Sequence, residues 1–247
     1  MIPVKSALEL AAMRDAGALL ARIADKIRKH IVLGISTDEI DRIAEAAIIK
    51  EGALPAFKGY LGFPASVCAS INEEVVHGIP SSRRLKEGDI LKLDIGINLN
   101  GFFSDYAFTV AIGAVSSKVR RLIEATKKAL ELGIAQAKPD KHLFDISWAI
   151  QSYIEAQGFS VVRDFVGHGI GRKMHEAPEI PNFGQPKSGP VLKEGMVLAI
   201  EPMVNMGGWE VRIAENGWTA LTKDHLESAH FEHTVAVTHT GAEILTK

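Results

Sequence analysis

Apolar residues recur at intervals of three and four in four stretches of the chain, which is the spacing that predicts amphipathic helices. The predicted helices cover about residues 6–30, 36–52, 116–137 and 143–157. Ser36 or Thr37 is the expected N-cap of the second helix, since both side chains can accept a hydrogen bond from a free backbone N–H. Gly52 and Gly158 follow the second and fourth helices, and glycine is a common helix stop.

Strands dominate between the second and third helices. Residues 90–97 alternate between apolar and polar positions, and residues 102–110 return after an Asn-Leu-Asn-Gly turn. If the two-residue loop is Asn100-Gly101, Asp94 and Asp105 are diagonal neighbours; if it begins one residue earlier, they lie opposite each other. Both registers leave the two carboxylates on the same face, because side-chain parity is preserved.

The chain contains an internal repeat. Residues 85–94 align without gaps on residues 192–201, at an offset of 107, and the two helix-ending glycines are offset by 106. A generic Lys-Glu-Gly turn recurring by chance is the alternative, but two nearly equal offsets in the same order favour a repeat. We therefore expect one domain, residues 1–247, made of two similar halves at about 6–113 and 114–247 and packed about a pseudo-twofold axis.

Composition narrows the class of protein. The 247 residues are 47% hydrophobic, and 28 basic against 30 acidic side chains leave a formal charge of -2. We expect neither DNA nor a membrane as a partner, because the charge is balanced and no apolar run reaches about 20 residues. The single cysteine and the absence of a signal-peptide pattern predict a cytoplasmic protein.

Four acidic residues and one histidine are candidates for a metal site. Asp94, Asp105, Glu201 and Glu232 lie in or beside apolar strands, where an unpaired charge is unfavourable. Glu201 is also the repeat partner of Asp94. His168 lies among glycines, where the backbone can approach closely. The alternative is that the acids are solvated and the histidine is structural, with no metal-binding role. Together, however, these donors suit two divalent ions such as Mn, Fe, Co or Zn.

Two further histidines are candidates for substrate contact. His77 follows Glu-Glu-Val-Val, and His175 lies in Met-His-Glu-Ala-Pro. Neither is needed to complete a metal shell, and imidazole titrates near neutrality, so both suit hydrogen bonding or proton transfer. The alternative is that both are ordinary surface histidines. The remaining histidines, His230 among them, receive no role.

These motifs together make the chain resemble the type I methionine aminopeptidases of the pita-bread metallopeptidase superfamily. The resemblance covers nearly the whole chain. It rests on residues 70–80, the Asp94–Asp105 pair, and residues 167–171, 174–178, 200–202 and 231–234. It implies an α+β pita-bread fold, in which the two halves contribute antiparallel sheet with helices packed on one face.

The resemblance also implies the metal arrangement. Asp105 and Glu232 would bridge two divalent ions, with Asp94 on one ion and His168 plus Glu201 on the other. Glu201 would accept a proton, and His77 and His175 would contact the substrate and stabilise the intermediate. The implied pocket for the methionine side chain is lined by Tyr60, Phe63, Cys68, Met174 and Trp218.

The implied activity is removal of the initiator methionine from nascent chains whose second residue is small. A transient encounter with the ribosome is implied only by that role, and a monomer is expected.

Two departures affect the pocket: Met174 stands where the family usually has an aromatic residue, and Phe57 where it often has cysteine. An Xaa-Pro dipeptidase and a catalytically dead peptide-binding module are the alternatives. The second half lacks the long helical insertion of type II enzymes.

Overall fold

The computed structural model describes residues 2–247. Within these residues there are four α-helices, α1 (Ala7–Arg28), α2 (Thr37–Lys50), α3 (Ser117–Ile134) and α4 (Leu143–Ala156). Ser36 caps α2, and Ser116 caps α3 by accepting a hydrogen bond from the backbone N–H of Val119. Gly52 and Gly158 follow α2 and α4 with φ of 78° and 79°, which confirms the predicted helix stops.

Strands make up most of the remaining structure. In the first half they are β1 (Leu54–Pro55), β2 (Val67–Ile71), β3 (Glu74–Val76), β4 (Ile90–Leu99) and β5 (Phe102–Ala111). In the second half they are β6 (Ser160–Val161), β7 (Val166–Gly169), β8 (Glu176–Pro181), β9 (Val197–Ile200), β10 (Met203–Asn205), β11 (Val211–Ile213), β12 (Ala220–Thr222), β13 (Ser228–His230), β14 (His233–Thr238) and β15 (Gly241–Ile244).

The first sheet is built around β4, which pairs antiparallel with β1, β2 and β5. Asn100 and Gly101 both have positive φ, 53° and 83°, so the loop of the β4–β5 hairpin is Asn100-Gly101. The register pairs Asp94 with Ala107 and Gly96 with Asp105. Of the two predicted registers, the diagonal one is therefore present, and Asp94 and Asp105 share a face.

The second half contributes a five-stranded antiparallel sheet in the order β15-β14-β9-β7-β8. Two further antiparallel sheets contain three strands each, β13-β10-β6 and β11-β12-β3. The last of these joins β3 of the first half to β12 of the second. Each half thus runs from two helices into antiparallel strands. The repeat boundary near residue 113 stays a prediction.

Hydrogen bonds between β5 and the segment 230–234 join the two halves at their centre. The Thr234 hydroxyl accepts from the Asp105 N–H at 2.9 Å and donates to the Asp105 carbonyl at 2.8 Å. The Glu232 N–H donates to the Ala107 carbonyl at 2.9 Å. This junction brings Asp105 of β5 beside Glu232, which precedes β14.

The largest apolar core lies between the helices and the sheets and includes Ile23, Ile40, Leu93, Leu122 and Ile150, all essentially inaccessible to solvent. This core buries the apolar faces of all four helices and fixes the strands that carry the polar residues described next. Among residues 2–247, no helix has the length and apolar content needed to cross a membrane.

Candidate metal centre and cavity

All twelve predicted site residues line one cavity of about 270 Å³. They are Asp94, Asp105, His168, Glu201, Glu232, His77, His175, Tyr60, Phe63, Cys68, Met174 and Trp218. The strand pairing explains part of this convergence, because Cys68 on β2 lies directly across from Asp94 on β4. The cavity therefore has acidic residues and histidines in one part and apolar side chains in another.

Two overlapping groups of three side chains offer donor atoms at metal-binding distances. One ligand atom each from Asp105, His168 and Glu232 lies within 4.8 Å of the other two, and the same holds for Glu201, His230 and Glu232. The His168 Nε2 atom is 3.7 Å from Glu201 Oε1 and 3.9 Å from Asp105 Oδ2. Glu232 belongs to both groups, which is the geometry that a carboxylate shared by two ions requires.

Asp94 belongs to neither group of three but lies beside them. Its Oδ1 atom is buried and has no hydrogen-bond partner among residues 2–247, and the same is true of Glu232 Oε1. Burial raises the pKa of Asp94 to about 7, and the neighbouring Glu201 carboxylate acts in the same direction. Orphaned buried oxygens next to other carboxylates are unfavourable unless a cation lies among them.

The other acidic residues show the same electrostatic strain. Burial raises the pKa of Glu201 to about 8. Burial, followed by the charges of Asp94 and Glu201, raises the pKa of Asp105 well above its ordinary value. Burial and the charges of Asp105, Glu201 and Asp94 do the same for the pKa of Glu232. A divalent ion relieves this repulsion, and oxygen and imidazole donors fit Mn, Fe, Co or Zn.

The imidazole ring of His168 has the hydrogen-bonding arrangement that is usual for a metal-binding histidine. Its Nδ1 donates to the Gly169 carbonyl at 2.9 Å, which leaves the Nε2 lone pair facing the carboxylates. Burial, together with the nearby His175, lowers its pKa to about 3, so the ring is neutral at pH 7. A neutral lone pair directed at acids again calls for a cation between them.

The glycine before His168 lets β7 approach its neighbour. A Cβ at Gly167 would lie 2.5 Å from the Ala199 carbonyl oxygen of β9. Any side chain there would push β7 away and move His168 from the carboxylates. The predicted close approach of the backbone around His168 is therefore present.

His77 and His175 face the cavity but belong to neither metal-binding group. The Tyr60 hydroxyl and His175 Nδ1 are 2.7 Å apart, and the His175 ring lies 4.2 Å from the His168 ring. Burial, reinforced by His230 and His175, lowers the pKa of His77 to about 4, and burial lowers that of His175. At pH 7 both rings are neutral and can donate hydrogen bonds to a substrate.

The apolar part of the cavity contains aromatic and sulfur-bearing side chains. Phe63 and Trp218 meet edge to face with ring centroids 5.2 Å apart, and Met174 is only 2% exposed. Burial and the acids of the centre raise the pKa of Cys68 well above its ordinary value, so it is a neutral thiol. Phe57 also lines the cavity, where it packs against Gly96.

His230 is a residue of the centre that sequence reasoning missed. Its Nε2 lies 3.4 Å from Glu201 Oε2 and is buried, with no hydrogen-bond partner in the described part of the chain. Burial lowers its pKa to about 4, against the opposing charge of Asp94. The available signal was its spacing of two residues from Glu232, which places alternate side chains of an extended segment on one side.

Comparison with known proteins agrees with this geometry. The model of metallopeptidase family M24 matches residues 11–239. Methionine aminopeptidase 1 of Bacillus subtilis (strain 168) is 52% identical over 247 residues, covering 100% of both chains. The crystal structure of methionine aminopeptidase from Rickettsia prowazekii superimposes with a TM-score of 0.98 at 42% identity and 100% coverage of both chains.

A more distant structure shows how the predicted alternative differs. The prolidase from Pyrococcus furiosus matches 99% of this chain with a TM-score of 0.81 at 25% identity, but the match covers only 65% of the prolidase. These structural matches confirm the predicted pita-bread fold of class α+β.

Proposed function

Because the chain belongs to metallopeptidase family M24, we propose that it removes the N-terminal methionine from polypeptides whose second residue is small. It is a metal-dependent aminopeptidase, a hydrolase, as its relatives at about half identity are. The observation that carries the methionine specificity is the juxtaposition in one cavity of a metal-binding group and an apolar wall containing Phe63, Met174 and Trp218.

We assign the metal ligands as Asp94, Asp105, His168, Glu201 and Glu232, holding two divalent ions. Glu232 belongs to both groups of three, so it would help to hold either ion. The same role for Asp105 rests on the resemblance. A divalent ion held by these residues would supply Lewis-acid chemistry for polarising a peptide carbonyl and activating water near neutral pH.

The protein's own side chains have separate tasks in this proposal. Glu201 takes the proton released when water attacks the first peptide bond. His77 and His175, both neutral, donate hydrogen bonds to the carbonyl oxygen as negative charge develops on it. The contact of His175 with the Tyr60 hydroxyl fixes the plane of the ring, so its donor is already oriented when substrate arrives.

The methionine side chain occupies the apolar wall. A thioether is unbranched and polarisable, and it packs well against the edges of Tyr60, Phe63 and Trp218. Cys68 and Met174 complete the wall without introducing a charge, because Cys68 stays protonated. The restriction to a small second residue is carried over from the family.

The cellular setting follows from this activity. We propose that the enzyme works as a monomer in the cytoplasm on the N-termini of nascent chains and meets the ribosome only transiently. No helix among residues 2–247 suits a membrane span.

A peptide panel tests the function. Met-Gly-Ser, Leu-Gly-Ser and Ala-Pro-Ser are compared by kcat/KM with the protein loaded in turn with Mn, Fe, Co or Zn. We expect Met-Gly-Ser to be cleaved best and Ala-Pro-Ser hardly at all. Preference for Ala-Pro-Ser would instead identify an Xaa-Pro peptidase, and no turnover with any metal would identify a binding module.

A further inference from the structure

Lys92 is among the largest fully buried side chains of the molecule, with 1% of its surface exposed. It lies on β4 two residues before Asp94, on the same face of the strand. Burying an amine is unfavourable unless it finds a partner. The partner is the backbone carbonyl of Asn72, which accepts a hydrogen bond from Lys92 Nζ at 2.7 Å.

The Asn72 carbonyl is a junction between three strands. It also accepts from the Ser228 N–H of β13 at 3.0 Å. Asn72 itself forms the turn between β2 and β3, with a φ of 52° that is unusual for a residue other than glycine. Its side chain is fixed by hydrogen bonds with Asp89 and the Ile90 N–H, both at 2.9 Å.

Each strand at this junction leads to a residue of the cavity or of the candidate metal centre. Asp94 follows Lys92 on β4, His77 follows β3, and His230 ends β13. His77 also has a positive φ of 58°, so its backbone depends on the surrounding contacts to hold it. One of these is the hydrogen bond from Thr219 to its carbonyl at 3.3 Å.

We propose that Lys92 is a positioning residue, which holds the Asn72 turn against β4 and β13 and thereby sets the place of His77 in the cavity. The inference rests on the proposed function in that His77 is taken to stabilise the reacting carbonyl. Lys92 reaches neither the cavity nor the substrate and acts only through the turn.

The bond does not depend on the charge of the lysine. Burial lowers the pKa of Lys92 to about 7, while the carboxylates of Glu74, Glu73 and Glu227 oppose this. An amine and an ammonium group both donate N–H to a carbonyl, so the Asn72 contact is available in either form. A methionine at this position fills similar space but removes the donor.

The first experiment measures how well ordered the Asn72 turn is and does not depend on enzyme activity. Hydrogen–deuterium exchange is measured on the metal-loaded protein for peptides covering residues 72–78 and 226–230, in wild type and Lys92→Met. Ile154→Ala or Ile154→Val, whichever matches its Tm, is the control, since Ile154 is fully buried in α4. We expect exchange in both peptides to rise about tenfold in Lys92→Met and to stay unchanged in the control.

The second experiment asks whether Lys92 acts through His77. In Lys92→Met we expect kcat for Met-Gly-Ser to fall about 10- to 100-fold with KM nearly unchanged, because small displacements of a catalytic group have effects of that size. In a double-mutant cycle with His77→Ala, most of this loss should disappear, whereas with His175→Ala the effects should add. Lys92→Gln keeps an N–H donor, so its kcat should lie between those of wild type and Lys92→Met. If Lys92→Met fails to fold, Lys92→Gln takes its place in the experiment.

The outcomes separate the two proposals. If wild type cleaves no peptide with any metal, the proposed function is wrong, and the exchange experiment still decides whether Lys92 orders the turn. If exchange of residues 72–78 is the same in Lys92→Met and the Tm-matched control, the positioning role is wrong. The same conclusion follows if Lys92→Met lowers kcat equally with and without His77.

Discussion

Three histidines in one cavity are prepared for different tasks by what each one touches. His168 has one ring nitrogen bound to a backbone carbonyl and the other facing carboxylates, which suits a metal ligand. His175 is bound to a tyrosine hydroxyl, and the His77 ring is nearly perpendicular to that of Phe165. Neither His77 nor His175 has a carboxylate within ion-pair distance among the described residues. Their different surroundings predict different consequences of mutation.

His77→Ala and His175→Ala are expected to retain bound metal but to lose most of their turnover. Turnover should fall by about 10²–10⁴-fold, the range for a lost proton transfer or oxyanion donor. Metal content, measured by mass spectrometry of the purified variants, should stay near wild type. His168→Ala is the matched control and should lose metal. Loss of metal from either of the first two variants would make that histidine a ligand.

Met174 is expected to set how strictly the pocket selects its side chain. A flexible thioether forms a softer wall than the aromatic residue usual in the family, and Met174 has three rotatable bonds against the two of phenylalanine. In wild type, kcat/KM should rank methionine first, norleucine close behind and leucine far lower. Met174→Phe should increase the ratio of methionine to leucine. An unchanged ratio, or equal cleavage of leucine by wild type, would contradict this interpretation.

At the scale of elements, the centre depends on the junction between β5 and β14. The Thr234 hydroxyl satisfies both the N–H and the carbonyl of Asp105, and it is completely buried. Asp105 and Glu232 come from different halves of the chain, so their separation is only as firm as this junction. Removing the hydroxyl leaves backbone groups of a proposed ligand without partners.

Thr234→Val should therefore weaken metal binding as well as stability. Unsatisfied buried groups are unfavourable by about 1–3 kcal/mol, and we expect a loss of unfolding free energy in that range. Metal affinity, measured by competition with a chelating dye, should fall about 10- to 100-fold, as for other groups that support ligands. Thr238→Val is the control on the same strand, since the Thr238 hydroxyl bonds to Thr240 and Gly241 near the β14–β15 turn. Equal effects of the two changes on metal affinity would contradict the role of the junction.

The elements differ in how far the sequence predicts them. The shared face of Asp94 and Asp105 follows from alternation alone, because it holds in both registers. The choice between the registers needed the positive φ of Asn100, which the sequence permits but does not require. His230 at the end of β13 and Glu201 just after β9 are 29 positions apart in the sequence, so no local pattern shows their contact.

The alternation over residues 90–97 places Lys92 on the same face as Asp94, but a lysine at a polar strand position normally points to solvent. Its burial arises because the β2–β3 turn and β13 cover that face of β4. The sequence pattern does not resolve the short strands β10 to β13. Each has three residues, too few for a periodic pattern to distinguish them from loops.

At the scale of the whole molecule, the carboxylates of the metal centre make the stability of the folded protein depend on pH and on bound metal. Burial raises the pKa of Asp94 from 3.8 to about 7 and that of Glu201 from 4.5 to about 8 in the metal-free protein. A raised carboxyl pKa means that the folded protein binds protons more tightly than the unfolded chain. The stabilisation from these two groups is complete below their unfolded pKa values and is lost as the pH rises through 7 and 8.

Metal binding should reverse this dependence, because ligands bind as carboxylates. The difference in Tm between metal-loaded and metal-free protein should therefore widen as the pH is raised from about 5.5 to about 8. Calorimetric scans across that range, with and without chelator, measure it. A difference that stays constant or narrows would show that the carboxylates are not deprotonated on metal binding.

The central claim is that Asp94, Asp105, His168, Glu201 and Glu232 hold the metal that makes this cavity an aminopeptidase site. The most direct measurement titrates chelator-treated protein with Mn or Co and follows bound metal and hydrolysis of Met-Gly-Ser together, in wild type and Glu232→Gln. Wild type should be inactive without metal and gain activity in step with up to two bound ions. Glu232→Gln should bind metal weakly and stay more than about 100-fold less active, because even supporting residues contribute up to that factor. Tight binding of two ions by Glu232→Gln with normal turnover would contradict the account.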